Sequence, residues 1–115
     1  LQCVVELADQ TPRLGALGVN CVSAPDALSV VETMRKGTDK PLVAYPNSGE
    51  TWDHAARQWR RAASGEPGLV ETAPALREAG VTLLGGCCRV GPDLLSQLAH
   101  DVKKPAKEGR RTDAL

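Results

Sequence analysis

Three short apolar runs constrain the fold of this chain more than any other feature: residues 14–21, 42–45 and 81–84. None of them shows a regular alternation of polar and apolar residues, which is typical of strands that are covered on both faces. The segments between the runs carry apolar residues at helical spacing. Strands that alternate with helices are joined by right-handed crossovers into a parallel sheet. We therefore predict an α/β fold built from parallel βα units.

Helices are predicted on both sides of each strand. Ser23 followed by Pro25 is a typical helix start, with an N-cap residue and a proline in the first turn. Trp52 and Trp59 lie seven residues apart, so two helical turns would bring them onto one face. The predicted helices cover about residues 1–8, 23–37, 50–63, 69–79 and 92–102.

Length and charge exclude several classes of protein. The chain has 115 residues, and its 14 basic and 14 acidic residues give a net charge of zero. This balance favours neither nucleic acid nor an anionic membrane as a partner. No apolar run approaches the roughly 18 residues of a membrane-spanning helix. We predict a cytoplasmic protein, in whose reducing setting four cysteines are expected to be ligands or core residues rather than disulfides.

The chain divides into a domain and a tail. Residues 1–102 hold all the predicted strands and helices, whereas residues 103–115 are rich in lysine and arginine and have almost nothing to bury. We predict a disordered basic tail, solvated rather than bound to a polyanion. The domain lacks an initiator methionine and resembles the middle of a longer sequence.

Two of the strands end in cysteine. Cys21 ends the first run, and Cys87 and Cys88 follow the third run after two glycines. Neighbouring side chains on a strand point to opposite faces, so one thiol of the adjacent pair must lie past the strand end for both to reach one site. Ligands of α/β folds gather at the carboxyl ends of strands, and side chains of alternate strands can share one layer. The sequence therefore predicts a thiolate site at this edge.

Three thiolates suit zinc and leave one tetrahedral position open, which is the pattern of a catalytic zinc that can bind a substrate thiol. Two alternatives remain open on the residues alone. The cysteines are small apolar residues near a core, or Cys87 and Cys88 form a vicinal disulfide and act as a redox or metal sensor. Cys3, on the first predicted helix, is assigned no site.

Few other residues are candidates for the site. Asn20 precedes the first thiol and could bind substrate or orient the loop, and the hydroxyl of Tyr45 could reach the pocket from the end of the second strand. Both are weak substrate-binding candidates. His54 and His100 fall on predicted polar helix faces, away from the strand ends. No catalytic residue beyond the metal site is predicted, because a metal-bound thiol needs no general base.

The motifs Gly18–Cys21, Tyr45–Glu50 and Gly85–Asp93 resemble the last three βα units of zinc-dependent homocysteine S-methyltransferases. The resemblance spans about residues 4–102. It implies part of a (βα)8 barrel, with zinc on Cys21, Cys87 and Cys88 and the homocysteine sulfur as fourth ligand. The product would be methionine. Relatives use S-methylmethionine, S-adenosylmethionine or betaine as methyl donor, and the Tyr45–Glu50 loop is more similar to the branch that uses sulfonium donors.

Such a barrel needs about 250 residues, and only about three of its eight strands are present. We therefore expect the C-terminal part of a barrel, which pairs with a complementary N-terminal half or self-associates. Three hypotheses follow: a zinc-activated methyltransferase, a non-catalytic zinc-binding α/β module that needs the missing half, and the vicinal-dithiol sensor.

Overall fold

A computed structural model of the chain describes residues 1–61 and 65–103, and the predicted tail beyond Lys103 lies outside these residues. No helix in the two described ranges is both long and apolar enough to cross a membrane. The elements, in chain order, are α1 (Gln2–Asp9), β1 (Leu17–Asn20), α2 (Ala24–Arg35), β2 (Leu42–Tyr45), β3 (Thr51–Asp53), β4 (Gln58–Arg60), α3 (Leu69–Glu78), β5 (Val81–Leu84) and α4 (Pro92–Lys103).

The main sheet has three parallel strands in the order β1-β2-β5, as the alternation of strands and helices predicts. Leu17 to Asn20 of β1 pair in register with Leu42 to Tyr45 of β2. On the other side of β2 the register shifts between Leu42 and Val43, where β5 pairs. The strands β1 and β5 therefore flank β2, and their carboxyl ends lie at one edge of the sheet.

The hydrophobic core lies between the helices and one face of this sheet. Leu42 and Ala44 of β2 point into it and are fully buried. Tyr45 and Leu83 lie on the opposite face and are 41% and 58% exposed. The core is thus one-sided, with the buried members Val5, Ala27, Val31, Met34, Leu42, Ala44, Leu76 and Val81.

The start of α2 forms as the sequence predicts. The main-chain N–H of Asp26 donates to the Ser23 hydroxyl at 3.1 Å, and Pro25 occupies the first turn. The cap satisfies one of the free N–H groups of the first turn. Because Ser23 lies two residues after Cys21, the cap also limits where the chain can go once it leaves β1.

The predicted helix over residues 50–63 is wrong. The chain instead forms an antiparallel hairpin of β3 and β4. Trp52 and Trp59 are paired across the hairpin, with ring centroids 5.5 Å apart in an edge-to-face arrangement. Aromatic residues favour strands and stabilise them as cross-strand pairs. A spacing of seven residues fits two helical turns, but it equally fits opposite positions of a short hairpin.

The turn of this hairpin is held by Asp53. Its carboxylate accepts hydrogen bonds from the main-chain N–H groups of Ala55 and Ala56, both at 3.0 Å, and forms an ion pair with Arg60. Arg57 adopts a left-handed conformation, with φ of 51°. Asp and a left-handed residue are turn features, so local side-chain chemistry favours a hairpin here over a helix.

Arg35 connects three segments at the opposite edge of the sheet. Its guanidinium donates to the main-chain carbonyls of Thr38 at 2.9 Å, Lys40 at 3.1 Å and Gly80 at 3.2 Å. Gly80 has φ of 113°, a conformation that other residues rarely adopt. This contact links the end of α2 to the entry of β2 and to the turn between α3 and β5.

Candidate metal centre

Cys21, Cys87 and Cys88 come together at the carboxyl edge of the sheet. Their Sγ atoms all lie within 4.8 Å of one another, although 66 residues separate the first two in sequence. Cys21 and Cys88 are exposed and Cys87 is half-buried. Within residues 1–61 and 65–103, this is the one group of three potential metal-ligating side chains.

Backbone conformation turns Cys21 towards the pair. Cys21 has φ of 57°, a left-handed conformation that costs a non-glycine residue about 1–2 kcal/mol. Its N–H still donates to the carbonyl of Tyr45 at 3.3 Å. The strand therefore ends in a sharp bend at Cys21. Unfavourable backbone conformations of this kind are commonly found at functional sites.

The glycines before the cysteine pair allow a close approach. A Cβ atom on Gly86 would lie 2.2 Å from Cγ1 and 2.5 Å from Cβ of Val90. Gly86 therefore lets the turn after β5 fold back on itself. Both Cys87 and Cys88 lie past Leu84, the last residue of β5. They are therefore free of the strand alternation that would point neighbouring side chains to opposite faces.

The loop after β2 joins both cysteine segments. Since β2 lies between β1 and β5, its loop can reach the residues that follow each of them. Four main-chain hydrogen bonds make the connection: Cys21 N–H to Tyr45 O (3.3 Å), Asn47 N–H to Val22 O (2.8 Å), Cys87 N–H to Pro46 O (2.8 Å) and Ser48 N–H to Cys88 O (3.0 Å).

In the structure Cys21 and Cys87 form a disulfide, with Cα atoms 5.5 Å apart, and Cys88 and Cys3 are free and exposed. The expectation that cysteines would not pair is wrong for these two, and the vicinal disulfide between Cys87 and Cys88 is also wrong. Thiols close enough to share a metal ion are close enough to oxidise. A disulfide has no thiolate to donate, so this bond and metal binding by all three thiols exclude each other.

The reduced donor set fits zinc. Zinc–thiolate bonds of about 2.3 Å in tetrahedral geometry place sulfurs about 3.8 Å apart. All three sulfurs lie within 4.8 Å of one another, and reduction of the bond between Cys21 and Cys87 would let those two move apart to that spacing. Three soft donors select soft or borderline metals over magnesium or calcium. Assignment of these residues as zinc ligands remains a prediction.

The two weaker candidates lie beside the thiols. The Asn20 side-chain amide donates to Cys21 Sγ at 3.2 Å. Tyr45 ends β2 and is exposed on the open sheet face. Their roles in substrate binding remain predictions. His54 stands edge-on to Trp52 at 6.4 Å on the hairpin, and His100 lies on α4, so neither belongs to the thiol cluster.

Arg89, the residue after the cysteine pair, makes two side-chain contacts. It has φ of 64°, its guanidinium donates to the Glu50 carboxylate at 2.7 Å, and it lies 5.6 Å from the ring centroid of Trp59. The hairpin is therefore attached to the residue that follows Cys88. The position of Arg89 next to the cysteine pair is visible in the sequence, but its partners depend on the hairpin, where the sequence predicts a helix.

Comparison with known proteins gives the family. The sequence model of the homocysteine S-methyltransferase family matches residues 1–102. The chain is 37% identical to homocysteine S-methyltransferase YbgG of Bacillus subtilis, over 79% of this chain and 29% of the relative. It is also 37% identical to homocysteine S-methyltransferase 4 of Zea mays, over 85% of this chain and 29% of the relative.

Solved structures agree. The oxidized form of the homocysteine methyltransferase MmuM from Escherichia coli superposes with a TM-score of 0.66 at 31% identity, covering 87% of this chain and 29% of that one. Its metallated form gives a TM-score of 0.66 at 30% identity, covering 87% and 28%. The chain spans about 29% of the length of the curated relatives it matches. On its sequence and its fold, this chain belongs to the homocysteine S-methyltransferase family.

Proposed function

We propose that this chain supplies the zinc-binding end of a homocysteine S-methyltransferase. The observation that carries the proposal is the meeting of Cys21, Cys87 and Cys88 within 4.8 Å at the carboxyl edge of the sheet, in a member of this family. In the reduced chain these thiolates would hold zinc, and the sulfur of homocysteine would take the fourth position. Bound zinc lowers the pKa of a thiol, so that the homocysteine sulfur ionises near neutral pH.

The residues around the thiols orient the reaction. The Asn20 amide donates to Cys21 Sγ at 3.2 Å, and in the reduced chain the same contact would stabilise negative charge on the Cys21 thiolate. Tyr45 and the open face of the sheet would line the substrate side. The homocysteine thiolate forms a bond to the methyl carbon of a sulfonium donor as the bond from that carbon to the donor sulfur breaks. The bonding pair leaves with the donor sulfur, and methionine is the product.

The donor pocket requires residues beyond those described. We propose that β1, β2 and β5 are three neighbouring strands of a (βα)8 barrel, whose open face at Tyr45 and Leu83 lines the lumen. Support comes from the parallel topology, the one-sided core and the 29% span of the relatives. Turnover would then need a complementary set of strands, on the same polypeptide or on another.

A second candidate is a zinc-binding module without turnover of its own. Leu83 on the open face of the sheet is 58% exposed. This exposure favours the module, because a substrate pocket is enclosed. The two candidates share the metal centre and differ only in activity.

The test is zinc per chain on fully reduced protein, with methyl transfer from S-methylmethionine to homocysteine measured on the same samples. The variant is Cys87→Ser, and the matched control is Cys3→Ser, because Cys3 is free, exposed and outside the cluster. We expect near-stoichiometric zinc in wild type and in Cys3→Ser, and loss of zinc in Cys87→Ser.

Turnover together with zinc would support the enzyme. Zinc without turnover, with activity gained on adding the N-terminal part of a relative, would support the module. Absence of zinc from reduced wild type would overturn both candidates.

A further inference from the structure

The peptide group between Cys87 and Cys88 is held at both ends. Its carbonyl, on Cys87, accepts a hydrogen bond from the main-chain N–H of Val90 at 3.2 Å. Its N–H, on Cys88, donates to the side-chain oxygen Oδ1 of Asn47 at 3.1 Å. The two hydrogen bonds fix the position of this peptide group, and so of the two Cα atoms beside it, from which both thiol side chains extend. The position of the peptide therefore helps to place both thiols relative to Cys21.

Asn47 also contacts the other cysteine segment. Its main-chain N–H donates to the carbonyl of Val22, the residue after Cys21, at 2.8 Å. A single residue thus joins the segment of Cys21 to the peptide of the cysteine pair. Because Asn47 is half-buried, water competes less for its side-chain oxygen than it would at a fully exposed position.

A substitution of Asn47 by an apolar residue removes its side-chain hydrogen bond and leaves the main-chain hydrogen bonds of the loop in place. Apart from the ion pair of Glu50 with Arg89, the other hydrogen bonds described between this loop and the cysteine segments join main chain to main chain, so they survive a change of the Asn47 side chain. Ser48 provides the contrast. Its hydroxyl accepts from the Glu50 N–H at 3.2 Å, within the loop, while its main-chain N–H contacts Cys88.

We infer that Asn47 is a positioning residue of the thiol cluster. Its side-chain oxygen holds the Cys87–Cys88 peptide in a position from which both sulfurs reach Cys21. The predicted effect on metal binding rests on the proposed function, whereas the predicted effect on disulfide pairing does not. Hydrogen-bond partners of metal ligands typically contribute about 10- to 100-fold to metal affinity. Removal of the acceptor should therefore weaken metal binding by that factor without removing any thiol.

The experiment compares wild type with Asn47→Leu, which removes the acceptor at similar size, and Asn47→Asp, which keeps an oxygen in its place. Ser48→Ala is the matched control in the same loop. Cobalt(II) is titrated into each reduced chain, and the sulfur-to-cobalt charge-transfer absorption reports both affinity and the number of thiolates bound. Thermal unfolding of the metal-free reduced chains separates positioning from a loss of stability.

A second readout needs no metal. Each chain is oxidised, the remaining thiols are alkylated, and the disulfide partner of Cys21 is mapped by tandem mass spectrometry. Wild type should pair Cys21 with Cys87, as in the structure. In Asn47→Leu, Cys21 should form a disulfide with Cys87 in some molecules and with Cys88 in others, because a displaced peptide can bring either sulfur to Cys21. Asn47→Asp and Ser48→Ala should follow wild type.

Weaker cobalt binding by about 10- to 100-fold in Asn47→Leu, recovery in Asn47→Asp and a divided disulfide would support the inference. Wild-type affinity and pairing in Asn47→Leu would overturn it and leave the proposed function standing. If reduced wild type binds no metal, the proposed function fails, and the disulfide map alone then decides the role of Asn47. If Asn47→Leu does not fold, Asn47→Ala replaces it, and failure of both to fold would overturn a positioning role.

Discussion

Gly86 offers a sharp test of how the cysteine turn is built. An added Cβ at Gly86 would lie 2.2, 2.5 and 2.8 Å from three side-chain atoms of Val90. Ordinary carbon–carbon contacts lie at about 3.5–4.0 Å, so the nearest contact in Gly86→Ala is too short by about 1.3 Å. One of the three atoms is Cβ of Val90, which cannot rotate away. The backbone of the turn must therefore move.

Insertion of a methyl group into a filled space costs about 1–3 kcal/mol. We expect Gly86→Ala to lower the free energy of unfolding of the reduced chain by this amount. We also expect it to weaken cobalt(II) binding at least about 10-fold, because the displaced turn carries Cys87 and Cys88. Urea unfolding followed by tryptophan fluorescence measures the first quantity, and a cobalt titration measures the second.

The control is Gly91→Ala in the same turn, where an added Cβ meets no atom within 4 Å. It should match wild type in both assays. Val90→Ala combined with Gly86→Ala removes two of the three close atoms and leaves Cβ at 2.5 Å, so we expect partial recovery. Equal behaviour of Gly86→Ala and Gly91→Ala would refute the steric reasoning.

Three further changes test other parts of the fold. Gly80→Ala forces a Cβ to within 2.5 Å of Arg35 Nε at a φ of 113° and should destabilise the chain by more than about 2 kcal/mol in urea unfolding; stability equal to wild type would contradict this. Ser23→Ala removes the cap of α2 and should cost about 1 kcal/mol in the same assay, with Ser23→Thr close to wild type. The pKa of Asp53 is held below its ordinary value of 3.8 by hydrogen bonds from the Ala56 N–H and a guanidinium. The charged Asp53 carboxylate therefore stabilises the hairpin fully above pH 3.8, and this stabilisation is lost as the pH falls through the lower pKa of the folded state. Tryptophan fluorescence should change in that acid range, and Asp53→Asn should lack this transition.

The parallel sheet could be predicted because each strand is a short apolar run closed by helix or turn signals. The start of α2 followed from Ser23 and Pro25, whose preferences are local. The prediction that Cys21 would meet the pair across an intervening strand is confirmed, since β2 lies between β1 and β5. These features depend on residue type and on rules of chain connection, which a sequence contains.

The hairpin could not be recognised in the same way. A spacing of seven residues between Trp52 and Trp59 fits both two turns of a helix and a cross-strand pair of a short hairpin. Tertiary contacts decide between the two structures. One such contact is Arg89, whose guanidinium lies over Trp59 and donates to Glu50, 39 residues away in sequence. The bond between Cys21 and Cys87 was missed for another reason, because redox state belongs to the surroundings of a chain and not to its residues.

The sequence of the loop after β2 carries part of the family resemblance, but it does not indicate the structural role of the loop. Asn47 and Ser48 are ordinary turn residues by type. Their importance appears only when β1 and β5 lie on either side of β2, because the loop then reaches both cysteine segments. A residue that acts by joining two distant segments leaves no local pattern.

Zinc X-ray absorption of the fully reduced chain counts the sulfur ligands of the proposed metal centre. We predict three sulfur neighbours at about 2.3 Å and one lighter neighbour, with a change to four sulfurs when homocysteine is added. Cys3→Ser should give the same spectra as wild type. Fewer than three sulfurs, or three that do not change with homocysteine, would contradict the claim that Cys21, Cys87 and Cys88 form an open metal centre for a substrate thiol.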